Sequence, residues 1–128
     1  MKIEHVAFQV DEPSDVASWY VEHLGLTIKR AMREPPFGHF LADDGGTVML
    51  ELYNNPKAAV PDYWTIDPLV LHVAFTAADV AGTRARLLAA GATAEGEVHT
   101  TPSGDVMAML RDPWGLPIQF VKRKERMI

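Results

Sequence analysis

The stretch Ile3-Glu4-His5-Val6-Ala7-Phe8-Gln9-Val10 returns 67 positions later as Leu69-Val70-Leu71-His72-Val73-Ala74-Phe75. His72 stands in the place of His5, with Val73 and Phe75 in the places of Val6 and Phe8. In the first copy Val6, Phe8 and Val10 recur at period two, which predicts a strand with one face on a core and Ile3, His5, Ala7 and Gln9 on the other. Downstream, Ser14 reads as a helix N-cap, Val16, Trp19, Tyr20, His23 and Leu24 follow at helical spacing, and Gly25 ends the run. Strand-like runs at 26–32, 39–42 and 47–53 complete a βαβββ unit, separated by Pro35-Pro36-Phe37-Gly38 and Asp43-Asp44-Gly45-Gly46. The second copy repeats the order. A helix over 78–90 carries Val80, Arg84, Leu87 and Leu88 and is closed by Gly91, and strands follow at 93–100, 106–110 and 117–122. The expectation is an α+β fold, a single domain over 1–128: module one 1–54, a linker 55–68 rich in Pro, Asn and Asp, module two 69–122, and a tail 123–128. Its two βαβββ modules form a curved mixed sheet around a metal-site cavity, with helices 14–24 and 78–90 outside.

The chain has 128 residues, 48% hydrophobic and 23% charged, which is the composition of a globular domain large enough to fold without staples. It has no cysteine, which excludes disulfides, thiolate nucleophiles and cysteine metal sites, so a bound metal must use His, carboxylate or amide ligands. The net charge of −5 disfavours a nucleic-acid or anionic-membrane partner. The basic run Lys122-Arg123-Lys124-Glu125-Arg126 reads as a solvated tail. Met1-Lys2-Ile3-Glu4-His5 carries charge where a signal peptide needs an apolar run, and no apolar stretch reaches the roughly 18 residues of a membrane span, so a cytoplasmic location is expected. No G-x-S-x-G, phosphate-binding glycine loop or dinucleotide fingerprint is present.

Strand alternation assigns faces to the polar residues. In 47–53, Val48, Leu50 and Leu52 share one face while Met49, Glu51 and Tyr53 share the other, and in the last strand Ile118 and Phe120 leave Gln119 and Val121 opposite. Each module thus offers a His on its first strand and an acid or amide on its fourth. The spacings match: 46 residues from His5 to Glu51 and 47 from His72 to Gln119. A pseudo-twofold between modules would bring His5, Glu51, His72 and Gln119 together, a donor set suited to one divalent ion such as Zn, Ni, Co, Fe or Mn. With one carboxylate against a dication, such a site favours a substrate that brings negative oxygens. Metal Lewis acidity next to a bound carbonyl serves isomerase and epimerase chemistry, with Glu51 the one member able to act as base. His5, His72 and Glu51 alone form a 2-His-1-carboxylate triad of the kind used with Fe(II) and oxygen. Of the other histidines, His23 is expected to cap its helix end, and His39 and His99 to lie at the surface beside turns. Met49, Tyr53, Met107, Met109, Phe37 and Trp64 are expected to line an apolar pocket or fill core, and Arg30 and Arg33 to be solvated or to clamp a substrate carboxylate.

The paired βαβββ modules, Ile3-Glu4-His5-Val6-Ala7-Phe8, His23-Leu24-Gly25-Leu26, and Asp112-Pro113-Trp114-Gly115 before Pro117-Ile118-Gln119-Phe120 resemble the vicinal oxygen chelate superfamily. It holds glyoxalase I, methylmalonyl-CoA epimerase, fosfomycin and bleomycin resistance proteins and extradiol dioxygenases. The resemblance covers nearly the whole chain and implies metal ligands at His5, Glu51, His72 and Gln119. In many glyoxalase-like members the fourth position is Glu, both ligand and base; here it is Gln, whose amide binds through oxygen but takes no proton near neutrality. The resemblance implies a metal-dependent glyoxalase-like lyase or isomerase acting on a small oxygen-chelating carbonyl compound through an enediolate-type intermediate. The alternatives are a small-molecule binding or antibiotic-resistance protein, and an Fe(II) dioxygenase. It also implies a homodimer, which uncovered sheet edges favour as well.

Overall fold

The computed structural model describes all 128 residues and divides into two compact units, 1–61 and 62–128. In the first, β1 (His5–Gln9), α1 (Pro13–Leu24), β2 (Thr27–Ala31), β3 (His39–Ala42) and β4 (Met49–Tyr53) build a four-stranded mixed sheet of order β1-β4-β3-β2. In the second, β5 (Val73–Thr76), α2 (Val80–Ala89), β6 (Thr93–Thr100), β7 (Val106–Arg111) and β8 (Pro117–Lys122) give the order β5-β8-β7-β6. Each unit is thus a βαβββ module whose first and fourth strands pair in parallel while the others pair antiparallel. The fold is α+β, as the repeat predicts.

Each helix lies on one face of its own sheet. In the first unit Val16, Ala17 and Tyr20 of α1 are buried, as are Leu41 and Leu52 of the sheet. In the second, Val80 and Leu87 of α2 are buried, as are Ala108, Leu110 and Ile118. The helix α1 begins two residues earlier than a Ser14 cap implies. Pro13 occupies its first turn and Glu12 the cap position, with no side-chain capping bond. Proline's fixed φ suits that first turn, and its missing N–H removes a donor that would have had no partner. Gly25 ends the helix at φ 74, where a side chain would be strained. The α2 helix is capped by Asp79, whose carboxylate accepts from the Gly82 N–H at 2.9 Å.

Three further sequence expectations change. The strand read at 69–75 begins at Val73, leaving Leu69 and Val70 exposed and His72 one residue ahead of the ladder. The alternation in β1 is incomplete, because Val6 is 47% exposed while Gln9 is buried. The Gln9 amide donates to the carbonyls of Asn55 and Ala58 at 2.6 and 2.7 Å and accepts from the Asn55 N–H at 2.9 Å, which satisfies its polar atoms away from water. The basic run is not wholly free. The Asp105 carboxylate accepts from Arg123 at 2.7 Å and from the Lys124 N–H at 2.9 Å.

In the second unit the segment 63–66 is held by Arg111. Its guanidinium donates to the carbonyls of Tyr63, Ile66 and Gly115 at 2.7, 3.0 and 3.1 Å and pairs with Glu95 through Nε. Gly115, at φ 95, lies so close to the Trp64 ring that a Cβ there would meet it at 2.7 Å. Asp112 closes the same turn, accepting from the N–H groups of Trp114 and Leu116.

Arg111→Met should cost about 2–4 kcal/mol, since it strands three carbonyls and one carboxylate; urea unfolding at pH 7 measures it. The Lys124 N–H bond, then the Arg123 bond, hold the Asp105 carboxyl below its ordinary range. A depressed carboxyl contributes stability that is present above its unfolded value and lost as pH falls through the folded one. Asp105→Asn should therefore lower the urea midpoint at pH 7, and by progressively less as the pH falls through the acid range.

Candidate functional site

The parallel register fixes the two His–acid/amide pairs in the same way. In the first unit Glu51 lies opposite Ala7, two residues beyond His5, and in the second Gln119 lies opposite Ala74, two residues beyond His72. Residues two apart on a strand face the same way, so within β1 and β4 His5 and Glu51 share one sheet face. The contact is direct: His5 Nε2 stands 3.4 Å from Glu51 Oε2, with Glu51 half-buried. On the next strand Phe40 lies opposite Glu51, and its ring meets the His5 imidazole edge-on with centroids 5.6 Å apart. The Arg30 guanidinium lies 5.9 Å from the centre of that ring. In the second unit Met109 of β7 holds the place beside Gln119 that Phe40 holds beside Glu51.

Both histidines have Nδ1 engaged. His5 Nδ1 bonds the neighbouring Glu4 carboxylate, and His72 Nδ1 donates to the Pro68 carbonyl at 2.7 Å. An Nδ1–H held this way leaves Nε2 as the lone-pair nitrogen of the His72 ring, the arrangement found where imidazole binds a metal, whereas His5 Nε2 faces the Glu51 carboxylate. The Glu4 hydrogen bond raises the His5 pKa above its ordinary value; desolvation opposes it, and the charges of Glu4 and then Glu51 add to the rise.

The donor chemistry within the first unit suits a divalent ion. Donors about 2.1 Å from a tetrahedral ion stand roughly 3.4 Å apart, the separation of His5 Nε2 and Glu51 Oε2. Within neither unit do three His, Asp or Glu side chains converge, so the His5–Glu51 pair by itself offers two donors.

The remaining expectations divide. His39 is buried rather than superficial, since the β3 alternation turns it with Leu41 toward α1 while Phe40 faces His5. His99 is exposed as expected. The His23 ring packs against Trp19, centroids 5.3 Å apart. Trp64 is half-exposed over Gly115, and Phe37 and Arg33 line a cavity beside α1. Sequence reasoning missed Glu4 and Phe40. The adjacency of Glu4 to His5 was a usable signal, whereas Phe40 reaches the site only through the β3–β4 register.

Glu4→Gln should lower the His5 titration toward that of an ordinary histidine without moving that of His72. Imidazole proton shifts followed against pH in metal-free protein check this, and equal changes in both rings would deny Glu4 the role.

A sequence model of the Glyoxalase/Bleomycin resistance protein/Dioxygenase superfamily matches residues 2–120. No curated protein matches the chain. Among solved structures the chain is similar to SMU.1112c, with 29% identity and a TM-score of 0.75 over 95% of this chain and 98% of that one. It is also similar to TnmS3, an antibiotic binding protein from Streptomyces sp. CB03234, with 22% identity and a TM-score of 0.72 over 94% and 93% of the two chains. A glutamate-to-glutamine mutant of glyoxalase I from Zea mays shares 22% identity at a TM-score of 0.75; 97% of this chain and 46% of that one are covered. With a matched span that includes both modules and every residue of the two His–acid/amide pairs, the chain belongs to the Glyoxalase/Bleomycin resistance protein/Dioxygenase superfamily.

Proposed function

We propose that this chain binds one divalent ion with His5, Glu51, His72 and Gln119 as its donor set and acts as a metal-dependent lyase or isomerase on a small oxygen-chelating carbonyl compound. The observation that carries the reading is the matched register. Each unit sets an imidazole whose Nδ1 is engaged two residues upstream of the position opposite its acid or amide. A bound dication would supply Lewis acidity to a substrate carbonyl and so acidify the adjacent carbon proton. Glu51 is the base: it is the one carboxylate in the donor set, and the proton it accepts from carbon is returned to a neighbouring atom of the substrate. Phe40, edge-on to His5, restricts water on that side of the ring. Glu4 orients His5 through Nδ1, and the Pro68 carbonyl does the same for His72. Gln119 serves as a weak fourth donor or as a hydrogen-bonding partner, because its amide accepts no proton near neutrality. The reading includes a homodimer and a cytoplasmic location.

A second reading, a small-molecule binding protein without proton transfer, is favoured by one residue. Gln119 occupies the place where many glyoxalase-like proteins carry Glu, and TnmS3, of similar fold, is named as an antibiotic binding protein.

Elemental analysis of protein purified without chelator should give about one equivalent of a divalent metal per chain. His5→Ala and His72→Ala should each abolish stoichiometric metal, and Gln119→Ala should weaken it by about tenfold or less. With hemithioacetal substrates, Glu51→Gln should remove activity while Gln119→Ala spares it. Protein that takes up no metal from any supplemented preparation returns the function to small-molecule binding.

A further inference from the structure

The sheet face that carries His5 and Glu51 in the first unit continues onto β3 and β2, and an irregularity in β2 decides what it presents there. Ile28 lies opposite Leu41 but Arg30 lies opposite Phe40, so Lys29 has no partner of its own in the ladder. An unbroken ladder would set Arg30 opposite His39, which is buried on the α1 side. The extra residue instead turns Arg30 to the side of Phe40, the re-aiming for which bulges are used beside functional sites. Arg30, Phe40 and Glu51 then form one row across three neighbouring strands, with the His5 ring against Phe40.

The Arg30 guanidinium lies 5.9 Å from the centre of the Phe40 ring and pairs with no carboxylate of the chain. Stacking on a ring holds the guanidinium in place while leaving the N–H groups at its edge available. The space toward Glu51 is apolar. The Met32 N–H donates to the Gly38 carbonyl at 2.9 Å, and a Cβ on Gly38 would stand 3.3 Å from Met32 Sδ, 3.5 Å from Glu51 Oε1 and 3.7 Å from the Phe40 ring. The bare backbone of Gly38 thus lets the Met32 thioether and the Phe40 ring gather beside the Glu51 carboxylate. At about 4.8 Å per strand, the Cα atoms of Arg30 and Glu51 are roughly 10 Å apart, a gap of the order of one aromatic ring with a substituent at each end.

Resting on the metal-dependent reaction proposed at His5 and Glu51, we infer that Arg30 binds the substrate and defines its class. The carbonyl compound carries a carboxylate, which Arg30 grips, and a flat unsaturated segment between carboxylate and carbonyl lies along Phe40 and Met32. One guanidinium balances one negative charge, and its fork matches the two carboxylate oxygens. The carbonyl end then stands at Glu51.

The test titrates 4-acetylbenzoate, and its neutral isostere 4-acetylbenzamide, into isotope-labelled, metal-free protein and follows the backbone amide shifts. The acid should give saturating shifts at residues 30–32, 38–40 and 51 and bind about threefold to tenfold more tightly than the amide. Arg30 is exposed, so Arg30→Gln keeps the fold; it should erase the preference by weakening the acid alone. Arg30→Lys should restore part of it, because an ammonium keeps the charge and loses the fork. Phe40→Leu should weaken both probes alike. Equal binding of acid and amide by the unaltered protein overturns the proposal, as does a preference that survives Arg30→Gln, indifference of both probes to Phe40→Leu, or absence of saturation by about 10 mM acid. Shifts centred away from β2 and β3 also overturn it. Metal uptake, measured separately in unaltered and Arg30→Gln protein, keeps the two readings apart. Uptake by neither fells the metal reading and leaves Arg30 as a carboxylate-binding residue, whereas uptake by both without a preference for the acid fells the Arg30 inference alone.

Discussion

The parallel pairing of first and fourth strand is the constraint on which each unit depends. A parallel neighbour cannot be reached by a tight turn, and here the connection from β1 to β4 passes through α1, β2 and β3 before the ladder closes. The ladder then fixes, to the residue, what stands beside each histidine. A slip of one position would carry Glu51 to the helix side of the sheet and bring Leu50 or Leu52 to His5. Burial of Leu52 and Leu41 against α1 opposes that slip, so the packing of the core maintains the alignment of the polar face.

Much of this was legible because repetition converts weak local signals into a joint one. A lone strand histidine means little, but His5 and His72 recur with Glu51 and Gln119 at nearly equal spacing in two copies of one pattern. What stayed illegible depends on contacts between segments distant in the chain. Gln9 looked like an outward polar residue and is buried because the carbonyls of Asn55 and Ala58 arrive to meet it. Arg111 ended a predicted strand with no sign that three carbonyls would converge on its guanidinium. His39 was misplaced because its neighbours Pro35-Pro36-Phe37-Gly38 read as turn, and the turn ends just before it. Leu69 and Val70 read as strand on composition alone, but no partner strand extends far enough to pair them.

The two units keep one framework and have diverged at its chemical positions. The first unit orients its histidine with an ionisable carboxylate and places a second carboxylate beside it. The second orients its histidine with a peptide carbonyl and offers an amide. Both carboxylates at these positions therefore belong to one half of the repeat. The apolar neighbours differ in the same spirit, a rigid Phe40 ring against the flexible Met109 side chain.

The contact of Trp64 with Gly115 has a spectroscopic meaning. Indole emission shifts with hydration, and the tryptophans are divided between the units: Trp19 is buried on α1, while Trp64 and Trp114 flank the Gly115 turn. Trp19 therefore senses the opening of the first sheet, and Trp64 senses the turn that Arg111 and Asp112 hold in the second. Single-tryptophan variants would resolve whether the halves of this duplicated chain melt as one cooperative body or in sequence. The fold thus carries its own probes of how far the stability of one module depends on the other.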